Sequence, residues 1–141
     1  MGGHVNLLSV LVAAIAAWIF GAAYYGILGK RWIGAQGKTL ESLKIENAGK
    51  SALTKAMPFV LSFVAELVMG VTIYGILTHS GLWSWHAGIA TGAFCWLGFV
   101  LTTTVVNNAY SGRRVLLTVI DSAHWLGALV IIGCIIGAWG P

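Results

Sequence analysis

Charge is scarce in this sequence. Only 9% of its 141 residues are Asp, Glu, Lys or Arg, eight of them basic and four acidic, against about 25% in soluble domains. So few charges cannot cover the surface of a soluble domain. A soluble enzyme and a disordered chain are therefore excluded as first readings. A nucleic-acid-binding domain is excluded with them, despite a formal net charge of +4, because the basic residues are not spread over a face. Cysteine is scarce too: Cys95 and Cys134 are the pair. Both lie inside apolar stretches, at depths that differ by ~9 Å at helical rise, which argues against a disulfide. They read as small packing residues. No Ser-His-Asp or Cys-His arrangement sits at plausible depth and spacing, so a non-enzymatic protein is expected.

What the sequence has instead is apolar length. It is 58% hydrophobic, with a mean hydropathy of +0.87. A helix needs about 20 mostly apolar residues to cross a bilayer. Four stretches qualify, at about 4–29, 58–79, 85–110 and 115–139. They are too long for spanning strands and lack period-two alternation. The expected fold is all-α, a single domain over 1–141 forming a four-transmembrane-helix bundle. Pro58 fits a first helical turn, where its missing N–H costs nothing. The first stretch lacks a basic n-region and is longer than a signal-peptide core, so it is expected to be retained.

The basic residues mark orientation. Lys30, Arg31, Lys38, Lys44, Lys50 and Lys55 fall in the connection 30–57, and Arg113 and Arg114 in the connection 111–114. Short basic loops stay in the cytoplasm. Both termini are therefore expected outside. Within the first loop, Thr39 is placed to cap a short surface helix through Leu40 and Leu43. Gly49-Lys50-Ser51 looks like the end of a phosphate loop. Lys44 stands where the first glycine belongs and no strand precedes it, so no nucleotide site is read there.

Small residues fall in stripes that favour close helix contact in lipid: Ser9, Ala13, Ala17 and Gly21 in the first span, Gly88 and Gly92 in the third, Gly133 and Gly137 in the fourth, with Ala123 and Gly127 extending that last face. Most of this is read as packing within the bundle, with a homo-oligomer or a larger membrane complex for any face left over. The bilayer is the one partner the composition itself implies. Trp32, Trp83, Trp85, Trp139, Tyr110, Tyr24 and Tyr25 are explained as an interfacial aromatic belt. Trp18, Trp96 and Trp125 fall deeper and read as packing.

Two acids interrupt the spans. Glu66 lies ~15 Å inward from Ala56 at helical rise, Asp121 ~9 Å and His124 ~14 Å inward from Val115. Asp121 and His124, three residues apart, share a helix face. Thr103 and Asn107 fall at comparable or shallower depth in the third span. Ionisable groups inside a membrane usually face a bundle interior or a wet cavity. The functional reading is a polar chamber of Glu66, Asp121, His124, Thr103 and Asn107 that relays protons or binds a polar or cationic ligand, in a protein expected to bind a small ligand or a partner membrane protein. The structural alternative is a hydrogen-bond network that holds helices together. A proton-coupled small-solute transporter or channel, working as an oligomer through Glu66, Asp121 and His124, is the second functional class. His4, His79 and His86 share the outer side and could in principle hold a metal, but no Cys or carboxylate joins them. No metal and no cofactor is expected.

Three stretches together resemble a known family: Ala17-Trp18-Ile19-Phe20-Gly21-Ala22-Ala23-Tyr24-Tyr25 ahead of Lys30-Arg31-Trp32, Trp96-Leu97-Gly98-Phe99-Val100-Leu101-Thr102-Thr103 running to Arg113-Arg114, and Ile120-Asp121-Ser122-Ala123-His124-Trp125. This pattern resembles the small bacterial membrane family catalogued as domain of unknown function seventeen-sixty-one, over nearly the whole chain. The resemblance implies four helices in a bacterial inner membrane and supplies no activity. In that family the position like Asp121 often looks like Asn, and an aromatic precedes the His. Here His124 comes before Trp125.

Overall fold

The computed structural model describes residues 5–141. Its five helices are α1 (Leu7–Ala35), α2 (Leu40–Ala48), α3 (Ala52–Ser80), α4 (Trp85–Tyr110) and α5 (Val115–Trp139), and the described residues contain no strand. All but α2 are long and apolar enough to cross a membrane.

Each helix has local reasons to start and stop where it does. Asn6 caps α1 by accepting from the Ser9 N–H, and Ser51 and Ser84 cap α3 and α4 in the same way. Thr39 and Ser42 form a reciprocal capping box at the start of α2, so the short helix in the first loop is present as its sequence predicts. Beyond α1 the chain turns left-handed at Gly37, and beyond α4 at Gly112. The N–H groups that follow return to the last turn, Lys38 to Ile33 O and Arg113 to Asn108 O, which satisfies carbonyls the helix ends leave open.

The helices overrun the apolar stretches. α1 continues through Lys30 and Arg31 to Ala35, and α3 begins at Ala52 instead of Pro58. Pro58 therefore stands inside α3, contrary to its expected place in the first turn. The Ser51 cap starts the helix early, and Pro58 then removes the N–H that Thr54 O would accept. Within α4, Trp96–Leu101 is wound as a π-helix.

α5 is the axis of the bundle, in contact with α1, α3 and α4. Its seam with α4 is built from glycine. Gly88 faces the Gly133 backbone, Gly92 faces Leu129 O, and Gly137 faces Ser84 O, each so closely that a Cβ would overlap a carbonyl. Gly88 and Gly92 are the buried residues of the first part of α4, and the rest of that helix buries none. These glycines are used up within the chain, so they offer no free face to a second copy. Gly127 packs instead against the Phe20 ring on α1, and Ala123 is exposed. The expected extension of the glycine face through both therefore does not occur, because α5 turns these positions away from α4.

Near the termini the core is closed by Val10, Ala13, Ala17, Ile73, Leu77, Ala128, Ile132 and Ile136. At the opposite end, which carries the basic residues, a smaller cluster of Ala35, Leu117 and Ile120 packs with Tyr24, Tyr25 and Trp32. The buried stripe of α3 is Glu66, Gly70, Ile73, Tyr74 and Leu77, at helical spacing, while residues 52–61 are exposed. α3 thus buries side chains from Glu66 onward and none before it, where Trp18 reaches across to Phe59 and Phe63. That wedge leaves space between the basic-end halves of α1 and α3.

Candidate functional site

The space is a cavity of about 690 Å³ bounded by three helices. α1 contributes Trp18, Gly21, Ala22, Tyr25, Gly26 and Trp32; α3 contributes Pro58, Phe59, Ser62 and Glu66; α5 contributes His124 and Trp125. The α1 aromatics fall at positions 18, 25 and 32, two turns apart and so on one face.

Glu66 closes the deep end. It is 1% exposed, and its Oε2 has no hydrogen-bond partner among the described residues. Position 66 belongs to the buried stripe of α3, where the other side chains are Ile73, Tyr74 and Leu77. An apolar residue would satisfy the packing at that register. An unpaired carboxyl there is costly.

His124 faces Glu66's cavity from α5. It is 5% exposed, and its Nδ1 is buried without a partner. Its ring is held by aromatics: stacked on Phe20 at a centroid distance of 6.0 Å, and against Tyr25 at 4.9 Å and Trp125 at 4.8 Å. Gly21 is what lets the imidazole bring its Nε2 edge up to α1, since a Cβ there would come within 2.8 Å of that nitrogen.

Asp121 sits one turn toward the basic end and is not on the cavity wall. Its Oδ1 accepts from Tyr25 Oη at 2.8 Å and from Trp32 Nε1 at 3.0 Å. Tyr24 Oη adds a bond to Ile120 O at 2.8 Å. These ties fix two of the cavity's aromatic walls to α5. The third is fixed to α3, where Trp18 Nε1 donates to Phe59 O at 3.1 Å. Ser62 Oγ donates within its own helix to Phe59 O.

The structure therefore brings Glu66 and His124 to one cavity and places Asp121 behind its aromatic wall. Thr103 and Asn107 do not join them. Both are exposed on α4, and Thr103 Oγ1 is bound to Val100 O. The expected depth was comparable, but α4 meets α5 through its glycines, which directs these side chains away from the bundle. His79 bonds Gly75 O in its own helix, and His86 stacks on Trp85. His4 lies outside the described residues. No group of three or more His, Cys, Asp or Glu able to hold a metal occurs among the described residues. Cys95 and Cys134 are free.

Tyr25 and Trp32 are read from sequence as members of an interfacial belt, and Trp18 and Trp125 as packing. Their part in the cavity is the missed element. The spacing of Trp18, Tyr25 and Trp32 along α1 is the signal that could have found them.

The sequence model of a family described as "Protein of unknown function (DUF1761)" matches residues 8–137. Comparison with the curated proteins and with the solved structures finds no match.

Proposed function

We propose, for a chain that belongs to the DUF1761 family of proteins of unknown function, that it is a non-enzymatic inner-membrane protein that holds a small ligand between α1, α3 and α5. The observation that carries this reading is Glu66: a fully buried, unpaired carboxyl on the wall of a 690 Å³ cavity. A structural network would have consumed that group. The network in this bundle is built around Asp121 instead, and it leaves Glu66 and His124 Nδ1 unspent.

The basic end of the bundle faces the cytoplasm in this reading, and both termini face the periplasm. The two basic connections meet at that end, where Arg114 Nη1 donates to Gly34 O at 2.9 Å. Gathering all short basic segments at one end is the pattern of a cytoplasmic face. The cavity then lies in the inner half of the bilayer.

A proton-coupled transporter is the second reading, favoured by the presence of two titratable groups, Glu66 and His124, on one cavity wall. Native mass spectrometry of protein extracted from the membrane tests the first reading: a bound small molecule is expected, and it should be lost in Ala22→Phe, which fills the cavity. Substrate flux coupled to protons and abolished by Glu66→Gln would move the assignment to transport.

A further inference from the structure

We infer that the cavity takes a hydrophobic ammonium compound, with its cationic nitrogen at Glu66 and its apolar body against the rings of α1 and α5. This inference rests on the ligand-binding reading above and names the class of ligand.

The first support is a missing cation. Charges inside a membrane protein are usually paired with one another. Among the described residues the one ion pair is Lys38–Glu46, in the first connection. Neither Glu66 nor Asp121 has a basic partner there, and no Lys or Arg lines the cavity. Asp121 is compensated by two hydrogen-bond donors; Glu66 is compensated by nothing.

The second support is the chemistry of the wall. Trp18, Tyr25, Trp32, Phe59 and Trp125 surround the space with rings. The indole N–H groups of Trp18 and Trp32 and the hydroxyl of Tyr25 already donate elsewhere, to Phe59 O and to Asp121. What these three side chains offer a ligand is therefore their π surface. Ring faces attract cations and apolar groups. A carboxylic acid ligand would meet Glu66 with like charge. A neutral ligand would leave that carboxyl without a counter-charge. An ammonium has N–H donors for the unpaired Glu66 carboxyl, and it carries the charge the site lacks.

The test uses full-length protein in phosphatidylcholine nanodiscs, with equilibrium dialysis and empty discs to subtract partitioning. The probes are 4-phenylbutylamine, 4-phenylbutanol and 4-phenylbutyrate, which share one apolar body. Saturable binding of the amine is expected, with the alcohol and the carboxylate weaker by roughly tenfold or more. Glu66→Gln should reduce the amine to the level of the alcohol, and Glu66→Asp should keep the amine preference. An alcohol that binds as tightly as the amine, with both lost in Ala22→Phe, would overturn the ammonium assignment and leave the cavity reading standing. Binding of no probe up to about 1 mM, or binding that Ala22→Phe leaves intact, would overturn both.

Discussion

The imidazole of His124 points its Nε2 edge at Gly21, only 2.8 Å from where a Cβ would stand. α1 and α5 approach closely enough here for a ring of one helix to fill the space a side chain of the other would need. Gly21→Ala should force His124 off its aromatic neighbours, at a cost of about 1–3 kcal/mol for overpacking. Thermal unfolding in detergent checks the size. In a His124→Ala background the same change should cost much less, because the obstructing ring is gone. Equal costs in both backgrounds would show that Gly21 is needed for some other reason.

The glycines of the α4–α5 seam should be less forgiving. A Cβ at Gly88 meets the backbone of Gly133, and one at Gly92 meets Leu129 O. A carbonyl cannot rotate aside as a side chain can, so the helices themselves must separate. Gly88→Ala is expected to cost about 3 kcal/mol, at the upper end of overpacking effects. Gly75 and Gly98 meet nothing within 4 Å, so Gly75→Ala and Gly98→Ala serve as controls with little cost. A melting temperature for Gly88→Ala equal to these controls would contradict the seam.

The spans were legible in the sequence because bilayer thickness dictates a run of apolar residues, and four such runs stand out. Glu66 and His124 were legible together because helical rise converts their positions into depth. Rotation about the helix axis was not legible. Depth alone puts Thr103 and Asn107 near the two acids, yet the contacts of α4 with α5, its glycines and the hydrogen bonds of Trp96 and Asn108, decide which way its other side chains point. The start of α3 was obscured for a similar reason: the Ser51 cap outweighs the signal of Pro58, a strong marker of a first turn. Tyr25 and Trp32 were hidden by their own ambiguity. An aromatic near the end of a span explains itself as an interface residue, and only the partner Asp121 reveals a second role.

Outside the spans, Lys38 Nζ lies 2.9 Å from Glu46 Oε2 and ties α2 to the end of α1. The hydrogen bond from Lys38, and then its charge, hold the Glu46 carboxyl below its ordinary value of 4.5. A depressed folded value means the carboxylate favours the docked helix. That contribution is complete above the ordinary value and is lost as pH falls through the lowered one. The pair lies on the exposed surface, so its effect should be small and weakened by salt. Protection of the α2 amides, taken relative to each amide's intrinsic exchange rate at that pH, should therefore be lower at about pH 3 than at about pH 6. Glu46→Gln should show the lower protection already at the higher pH. Unchanged exchange in that variant would show that α2 is held by its capping box alone.

Asp121 is predicted to act as an acceptor that positions the wall of the cavity, with no need for it to touch a ligand. It receives Tyr25 Oη and Trp32 Nε1 on the same oxygen. Asp121→Asn keeps a carbonyl oxygen for both donors and should lose only the charge assistance, about 1 kcal/mol or less. Asp121→Leu removes the acceptor and leaves two donors stranded in a half-buried site, at about 1–3 kcal/mol for each buried group. Tyr25→Phe deletes one donor while Trp32 still serves the carboxylate, and should fall between the two. The fluorescence of Trp32 should report the same order, moving little in Asp121→Asn and most in Asp121→Leu. If Asp121→Asn proved as damaging as Asp121→Leu with the fold intact, the charge of Asp121 would itself be required, and the separation between a positioning acid at 121 and a binding acid at 66 would fail.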